Sequence, residues 1–335
     1  MLAGGSAAAI GDEFARLADP YRNELLAHCY RMLGSVHDAE DQVQETLLRA
    51  WRAYGDFEGR SSMRTWLHRI ATNTCLRALE NRSRRPLPSG LGEPAEDPDG
   101  PVPVPHLDVP WLQPFPDALA GGGANDPAAV VTTRASMRLA LIAALQYLPP
   151  RQRAVLILRD VLGWHAAEAA ALLGVSTAAA NSALQRARAQ IASLAPAEDD
   201  IVEPADPTVK DLVGRYAAAF ETADVDGLTE LLRADAVLEM PPMAVWFAGR
   251  DLVSRFLRRR VLVRPGEFAL RPLRANGQPA FAAYSLDAAG AYEPHAIQVL
   301  TVTASGISRI VSFNDGGLFP VFGLPHRPAD RLATP

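Results

Sequence analysis

The chain has 335 residues, 48% of them hydrophobic, which is ample for two or three packed domains. No apolar run approaches the ~18 to 20 residues of a membrane helix, and Cys29 and Cys75 alone make neither a disulfide framework nor a metal site. A net charge of -5, with Lys210 the only lysine, is on average unsuited to gripping DNA.

The opening stretch, 1–14, reads as disordered and has no secretory leader, so a reducing cytoplasm is expected. From Tyr21, apolar residues recur at Leu25, Cys29 and Met32, a helical period broken at Gly34-Ser35. A second helix is expected from Asp38 to Tyr54. Ala39, Val43, Leu47, Ala50 and Trp51 form its apolar face, with Asp38, Glu40 and Asp41 in the first turn, where carboxylates suit the helix dipole. The third helix, from Met63 to Asn81, buries Leu67, Ile70, Ala71, Thr74, Cys75 and Ala78. Its other face carries Thr65, Trp66, Arg69, Thr72, Asn73 and Arg77. An aromatic beside arginines and an amide suits stacking on unpaired bases and neutralising phosphates; a solvated face with Trp66 half tucked into the core is the plainer alternative.

Residues 86–133 show no periodicity and are rich in Pro, Gly and acids; they read as a linker. Within it, "PWLQPFPD" carries Trp111, Leu112 and Phe115, which a purely solvated tether does not need. Helices resume near Ala128, with Met137, Leu141, Leu145 and Leu148 on one face and Pro150 opening the next helix. "GWHAAEAAALLGVSTAAANSALQRARAQI" then reads as two helices about the turn Gly174-Val175-Ser176. The second buries Ala180, Leu184, Ala187 and Ile191. It presents Ala178, Asn181, Ser182, Gln185, Arg186 and Ala189 on the opposite face, small and polar groups suited to a major groove. An ordinary helical hairpin with a polar face is the alternative.

Charge is unevenly spread. Seven arginines stand against Glu80 between Arg60 and Arg85, and seven against Asp160 and Glu168 between Arg134 and Leu194. Between the two blocks, residues 91–126 hold seven acids and no Arg or Lys. Two basic modules joined by an acidic tether are hidden in the average.

A second acidic linker, 196–207, precedes a change of character. Helical "VKDLVGRYAAAFET" and a short helix from Arg250 to Arg260 lead into strands at Phe268–Arg274, Ala280–Leu286, His295–Thr303 and Ile307–Phe313. Helices followed by an antiparallel meander indicate an α+β domain over 208–322, with a tail over 323–335.

The helical part resembles the extracytoplasmic-function (ECF) sigma factors of bacterial RNA polymerase. "HDAEDQVQETLLRAWRAYGDF" looks like the family's polymerase-docking helix, "GRSSMRTWLHRIATNTCLRAL" like the segment that melts the -10 element, and the Leu145–Ile191 stretch like the helix-turn-helix that reads the -35 element. The resemblance implies a region 2 over 15–85, docking on core polymerase through Asp38, Asp41, Gln44, Glu45 and Arg49. It would meet the -10 element through Arg60, Arg64, Thr65, Trp66, Arg69, Asn73 and Arg77. A region 4 over 134–195 would read the -35 element through Ala178, Asn181, Ser182, Gln185, Arg186 and Arg188. The remainder, through "FETADVDGLTELLRADAVLEMPP", resembles the cone-shaped SnoaL-like, nuclear-transport-factor-like (NTF2-like) fold. The multidomain chain is therefore expected to be two all-α modules followed by an NTF2-like α+β domain. Recruitment by polymerase would excuse the average acidity, since each module then acts at high effective concentration.

Relatives of that last fold include cyclases and isomerases that use a pocket carboxylate. The pocket candidates are Glu239, Trp246, Tyr284, His295, Gln298 and Asp315, but no Asp-His pair stands at telling spacing. Neither catalysis, a cofactor nor a metal is expected. The expected partners are core polymerase, promoter DNA and, within the chain, contact of the C-terminal domain with the helical modules. The competing readings are a one-component helix-turn-helix regulator with a ligand domain, and an enzyme fused to a helical module.

Overall fold

The computed structural model describes residues 12–80, 82–101, 103–120, 134–194, 202 and 206–327. The chain divides into two compact units: Met1–Arg85 with Ala118–Pro196, and Pro86–Asp117 with Ala197–Pro335.

The first unit is helical from residue 12, so the expected disorder does not extend to 14. Phe14 is buried, its ring 5.4 Å from that of Tyr54; residues 1–11 lie outside the described residues. Helix α1 (Arg22–Leu33) ends at Gly34, whose φ of 70° is the left-handed turn that a residue without Cβ adopts most cheaply. Helix α2 (Val36–Ala53) begins two residues before Asp38, because Ser35 caps it by accepting from the Asp38 N–H. Ser62 caps α3 (Met63–Leu79) in the same way through the Thr65 N–H. The expected faces of these helices supply the core, from Leu25, Cys29 and Met32 to Leu67, Ala71 and Cys75. Two positions depart from it. Trp51, on the plotted apolar face, is 47% exposed. Thr72, on the plotted polar face, is fully buried, its hydroxyl 3.0 Å from His28 Nε2 of α1.

The second helical set comprises α4 (Leu139–Leu145), α5 (Pro150–Leu156, continued by a wider π turn, Ile157–Val161), α6 (Ala166–Leu173) and α7 (Thr177–Leu194). The helix expected from near Ala128 falls outside the described residues up to 133. Gly174, with φ 66°, makes the turn between α6 and α7. The two helical sets pack on one another. Arg153 of α5 is 3% exposed and donates to the Met32 carbonyl of α1, to Gln146 Oε1 at 2.9 Å, and to the carbonyls of Gln146 and Leu148. Arg31 donates to Ser136 Oγ at 2.9 Å, and the Arg84 guanidinium lies 4.5 Å from the centre of the Tyr147 ring.

The second unit is a six-stranded sheet of order β2-β1-β6-β5-β4-β3. Strands β3 (Phe268–Ala275), β4 (Gln278–Leu286), β5 (Tyr292–Thr303) and β6 (Gly306–Phe313) form the expected antiparallel meander. Two strands were not expected, β1 (Leu232–Glu239) and β2 (Trp246–Ala248), and β1 pairs parallel with β6. Helices α8 (Pro207–Glu221), α9 (Val225–Leu231) and α10 (Arg250–Phe256, continued by the π turn Leu257–Val261) share a core with the sheet, including Tyr216, Phe220, Leu228, Phe256 and Leu300.

Residues 86–117, expected as the first part of a linker, are integral to this unit. Leu87, Leu112 and Phe115 are buried, the last fully. Phe115 exchanges two hydrogen bonds with Asn276, its N–H donating to Oδ1 and its carbonyl accepting from the Asn276 N–H, each 2.9 Å. Asp117 accepts from the Gly277 N–H at 2.7 Å and from Arg274 Nε at 3.1 Å. Farther back, the Ala95 N–H donates to the Trp246 carbonyl and Trp246 Nε1 to the Gly92 carbonyl. Asp99 sits between Arg255 at 2.8 Å and Arg259 at 3.0 Å. Asp99 thus meets arginines of α10 and its π turn, Asp117 meets Arg274 of β3, and Leu87, Leu112 and Phe115 are buried; those pairings, and not any internal periodicity, give the segment a place. In the second linker, Val202 donates to the Val302 carbonyl of β5, and Asp206 caps α8.

Candidate nucleic-acid interface

Three helical faces carry the candidate residues of the first unit. On α3, Arg69, Asn73 and Arg77 are exposed and fall on one stripe at i, i+4 and i+8. Trp66 stands beside this stripe, half-buried, its ring 4.6 Å from that of Phe57. It is therefore held in place while one part stays accessible. Arg60 pairs with Glu58, and Thr65 Oγ1 lies 2.9 Å from Ser62 Oγ. Arg64 turns inward to Glu24, with Nε 2.7 Å from Oε1 and 3.0 Å from Oε2.

That inward turn belongs to a buried polar cluster that sequence reasoning did not find, because its members come from two helices. His68 Nε2 lies 3.2 Å from Glu24 Oε1, and the His28 and His68 rings meet edge to face at 5.1 Å. Burial alone would raise the Glu24 carboxyl, but His68 and Arg64 outweigh it and bring its pKa down to about 2. Burial, then the charges of His68 and Arg31, push the His28 imidazole well below its ordinary value. Both folded values lie below the unfolded ones. Each group therefore stabilises the fold above its unfolded pKa, and that stability is lost as pH falls. Denaturation midpoints of the helical unit should hold above pH 6.5 and decline below it through His28, then more steeply below 4.5 through Glu24. In His28→Gln the first decline should vanish; if it persists unchanged, His28 is not its source.

On α2, Asp41 and Gln44 are exposed, and Glu45 pairs with Arg49 at 2.5 Å. Asp38 is turned from this face by Arg82 and Arg85, which both reach its Oδ2. Sequence reasoning missed Leu48 and Trp51, 40% and 47% exposed. With Asp41 and Gln44 they make one stripe at i, i+3, i+7 and i+10, an acidic and apolar face suited to a protein partner.

On α7, Ala180, Leu184 and Ala187 are buried and Ile191 is half-buried, while Ala178, Asn181, Ser182, Gln185 and Arg186 are exposed. Arg188 departs from the expected set in one respect. It is exposed, but its guanidinium is engaged bidentately by Asp160, at 2.9 and 2.6 Å. His165 and Glu168 close a capping box at the start of α6, which fixes the entry of the helix pair.

In the second unit the candidate pocket residues separate by strand parity. A small cavity of about 50 Å³ is lined by His295 and Gln298 with apolar residues such as Leu238, Met240 and Phe268. Tyr216 donates its hydroxyl proton to Gln298 Oε1 at 3.0 Å, and burial pushes the His295 imidazole below its ordinary pKa. Glu239, the last residue of β1, lies between the lining residues Leu238 and Met240, so it faces the opposite side of the sheet. There it is paired with Arg309 and accepts from the Ser89 N–H at 2.9 Å. Trp246, opposite Glu239 in the ladder, donates to Gly92. Tyr284 donates to the Pro325 carbonyl at 3.0 Å, and Asp315 caps the turn after β6. Among the described residues no helix is long and apolar enough to cross a membrane, and no group of three or more His, Cys, Asp or Glu could hold a metal.

Comparison with known proteins matches the same three regions. Residues 17–85 match the model of Sigma-70 region 2, residues 138–191 that of Sigma-70 region 4, and residues 213–316 that of the SnoaL-like domain. The chain is 53% identical over 315 residues to the ECF RNA polymerase sigma factor SigG of Mycobacterium tuberculosis, covering 93% of this chain and 84% of that protein. It is 30% identical over 292 residues to SigJ of the same organism, covering 84% and 85%. The crystal structure of SigJ aligns with a TM-score of 0.60 at 26% identity, over 94% of this chain and 99% of that one.

Proposed function

The chain belongs to the ECF sigma factors of RNA polymerase, with a SnoaL-like domain fused behind the two sigma regions; it acts in transcription initiation, and on that premise we propose how its parts share the work. In this reading α2 docks on core polymerase through Asp41, Gln44, Leu48 and Trp51. The stripe of Trp66, Arg69, Asn73 and Arg77 meets the opened -10 strand, and Gln185, Arg186 and their neighbours on α7 read the -35 element. The SnoaL-like domain, in this reading, is a regulatory module; the cavity lined by His295 and Gln298, about 50 Å³, is small against the roughly 300 Å³ of common small-molecule sites.

The SnoaL-like domain instead restrains initiation, and one observation carries this reading: residues 86–117, which connect the two sigma regions, fold as part of that domain. The geometry of a promoter gives the reason. Elements ~25 base pairs apart lie roughly 85 Å apart along B-form DNA. A compact unit of ~160 residues is only about 40 Å across. The packed helical sets must part to reach both elements, and the connector must be free to extend between them. Contact of the C-terminal domain with the sigma regions belongs to the same proposal.

The assignment of α2 is tested by co-purification with core polymerase. Asp41→Arg combined with Trp51→Glu should weaken association at least about tenfold, the loss of one or two charged or apolar anchors at an interface centre, with helicity unchanged. Undiminished co-purification would remove α2 from the interface.

A further inference from the structure

The turn between β3 and β4 has the groups to hold a peptide. Asn276 and Gly277 form a hairpin turn between the paired Ala275 and Gln278, with φ of 56° and 69°, the backbone that an Asn-Gly turn favours. Strand β3 lies at the edge of the sheet. Beyond its last pair with β4, the turn offers polar groups to whatever crosses it, and three consecutive connector residues take them. Phe115 exchanges its two backbone hydrogen bonds with Asn276, and Pro116 makes an antiparallel bridge to Ala275. Asp117 sets one oxygen 2.7 Å from the Gly277 nitrogen and the other 3.1 Å from Arg274 Nε. Ala275, Asn276 and Phe115 are fully buried where they meet, and Leu112 is buried three residues earlier. An extended chain laid along a sheet edge, an aromatic in the interior and a carboxylate held by both oxygens are the chemistry of strand-addition peptide recognition.

We propose that this clasp is a peptide-recognition site, and that a second protein presenting an extended segment of the type Leu-x-x-Phe-Pro-Asp takes the connector's place in it and keeps the chain open. The inference rests on the restraint read above, in which residues 86–117 leave the SnoaL-like domain. Their departure takes the partners just described from Asn276, the Gly277 N–H and Arg274, and binding a segment that restores them is favoured. The ligand's chemistry follows from the site. The place of the Phe115 ring calls for an aromatic. Arg274 and the Gly277 N–H call for a carboxylate two residues on, and the backbone pairing calls for an extended chain. Prolines such as Pro110, Pro114 and Pro116 lower the cost of extending that chain before it binds. A second copy of this chain does not fit the role. It frees its own segment only by emptying its own clasp, so exchange between copies gains no contact, while a tethered segment acts at roughly millimolar effective concentration. A different protein, with further contacts of its own, can exceed that.

The probe is the peptide PWLQPFPD, with a fluorophore at its N-terminus and an amide at its C-terminus. Its anisotropy is followed against the full chain carrying Phe115→Ala, whose own connector competes poorly. Saturable binding is expected, at least about tenfold tighter than to the parent chain, where the connector occupies the clasp. A peptide with Ala in place of its Phe should bind about a hundredfold more weakly. One with Asn in place of its Asp should lose about tenfold, and that loss should largely disappear when Arg274→Gln is added to the chain. Helicity and melting temperature verify the fold of each variant. Should Phe115→Ala not fold, Asp117→Ala, which truncates a half-buried side chain, takes its place. No saturable binding, equal affinity for the peptide lacking Phe, or an Asn penalty that persists in full with Arg274→Gln overturns the proposal. So does a dimer of the Phe115→Ala chain that the peptide dissolves, since a second copy would then be the occupant. A last arm separates the two readings: the peptide should raise single-round transcription by the parent chain with core polymerase. Binding without that rise would overturn the restraint, and with it the opening, while the recognition stands.

Discussion

Phe115→Ala should raise promoter-directed transcription by the full chain several-fold when sigma factor is limiting. The ring is fully buried, and removing a buried aromatic costs about 3 to 5 kcal/mol. The backbone of the same residue holds Asn276 by two hydrogen bonds, and its neighbours Leu112 and Asp117 anchor on either side. At about 1.4 kcal/mol per tenfold, the undocked connector gains roughly two orders of magnitude or more in population. The sheet keeps its helix-side core, which contains neither Leu112 nor Phe115. Two measurements check this. One is single-round transcription with core polymerase. The other is limited digestion by an acid-specific protease, because residues 91–126 offer seven acids and no Arg or Lys to trypsin. If transcription and the cleavage pattern both match the parent chain, the connector is not what restrains initiation.

The second large effect is on stability. Arg153→Met leaves the carbonyls of Met32, Gln146 and Leu148 and the Gln146 amide oxygen without their donor. Each orphaned buried acceptor costs about 1 to 3 kcal/mol. Against this, the variant no longer buries a charge that has no carboxylate partner, which returns part of the loss. A net destabilisation of about 3 kcal/mol is expected. For a unit of this size that lowers the melting temperature by roughly 6 to 12 °C. Calorimetry should show the loss in the helical transition alone. A shift under about 2 °C would mean that Arg153 does not bind the two helical sets together.

Much of the helical unit was legible in the sequence, because its helices announce themselves locally. A 3.6-residue period, caps such as Ser35 and Ser62, and left-handed glycines at 34 and 174 bracket them to within a few residues. What a helical plot cannot supply is the neighbour. Thr72 lies on a polar face but meets His28 from another helix, and Arg188 is engaged by Asp160, which stands 28 residues earlier. In the SnoaL-like domain the meander was readable and β1 was not. That strand follows α9 without a turn residue, carries Arg233 and Asp235 mid-strand, and finds its parallel partner only at β6. Missing β1 also misplaced the pocket. Once Leu238 and Met240 line the cavity, alternation sends Glu239 to the other face, and Trp246 goes with it. The docking of residues 86–117 was hinted at by Trp111, Leu112 and Phe115, but their receptor lies more than a hundred residues downstream, beyond the reach of any window.

That separation has a consequence for the newly made chain. Ribosomes add about 5 to 20 residues per second, so roughly 10 to 40 seconds pass between the emergence of Phe115 and completion of β6. Both sigma regions are complete well before that, by Leu194. On the proposed restraint, a nascent chain spends part of its synthesis with both sigma regions made and the restraining domain still unwritten, and Leu112 and Phe115 are uncovered throughout. Chains that stall or are cut before residue 232 would, on the same proposal, stay unrestrained.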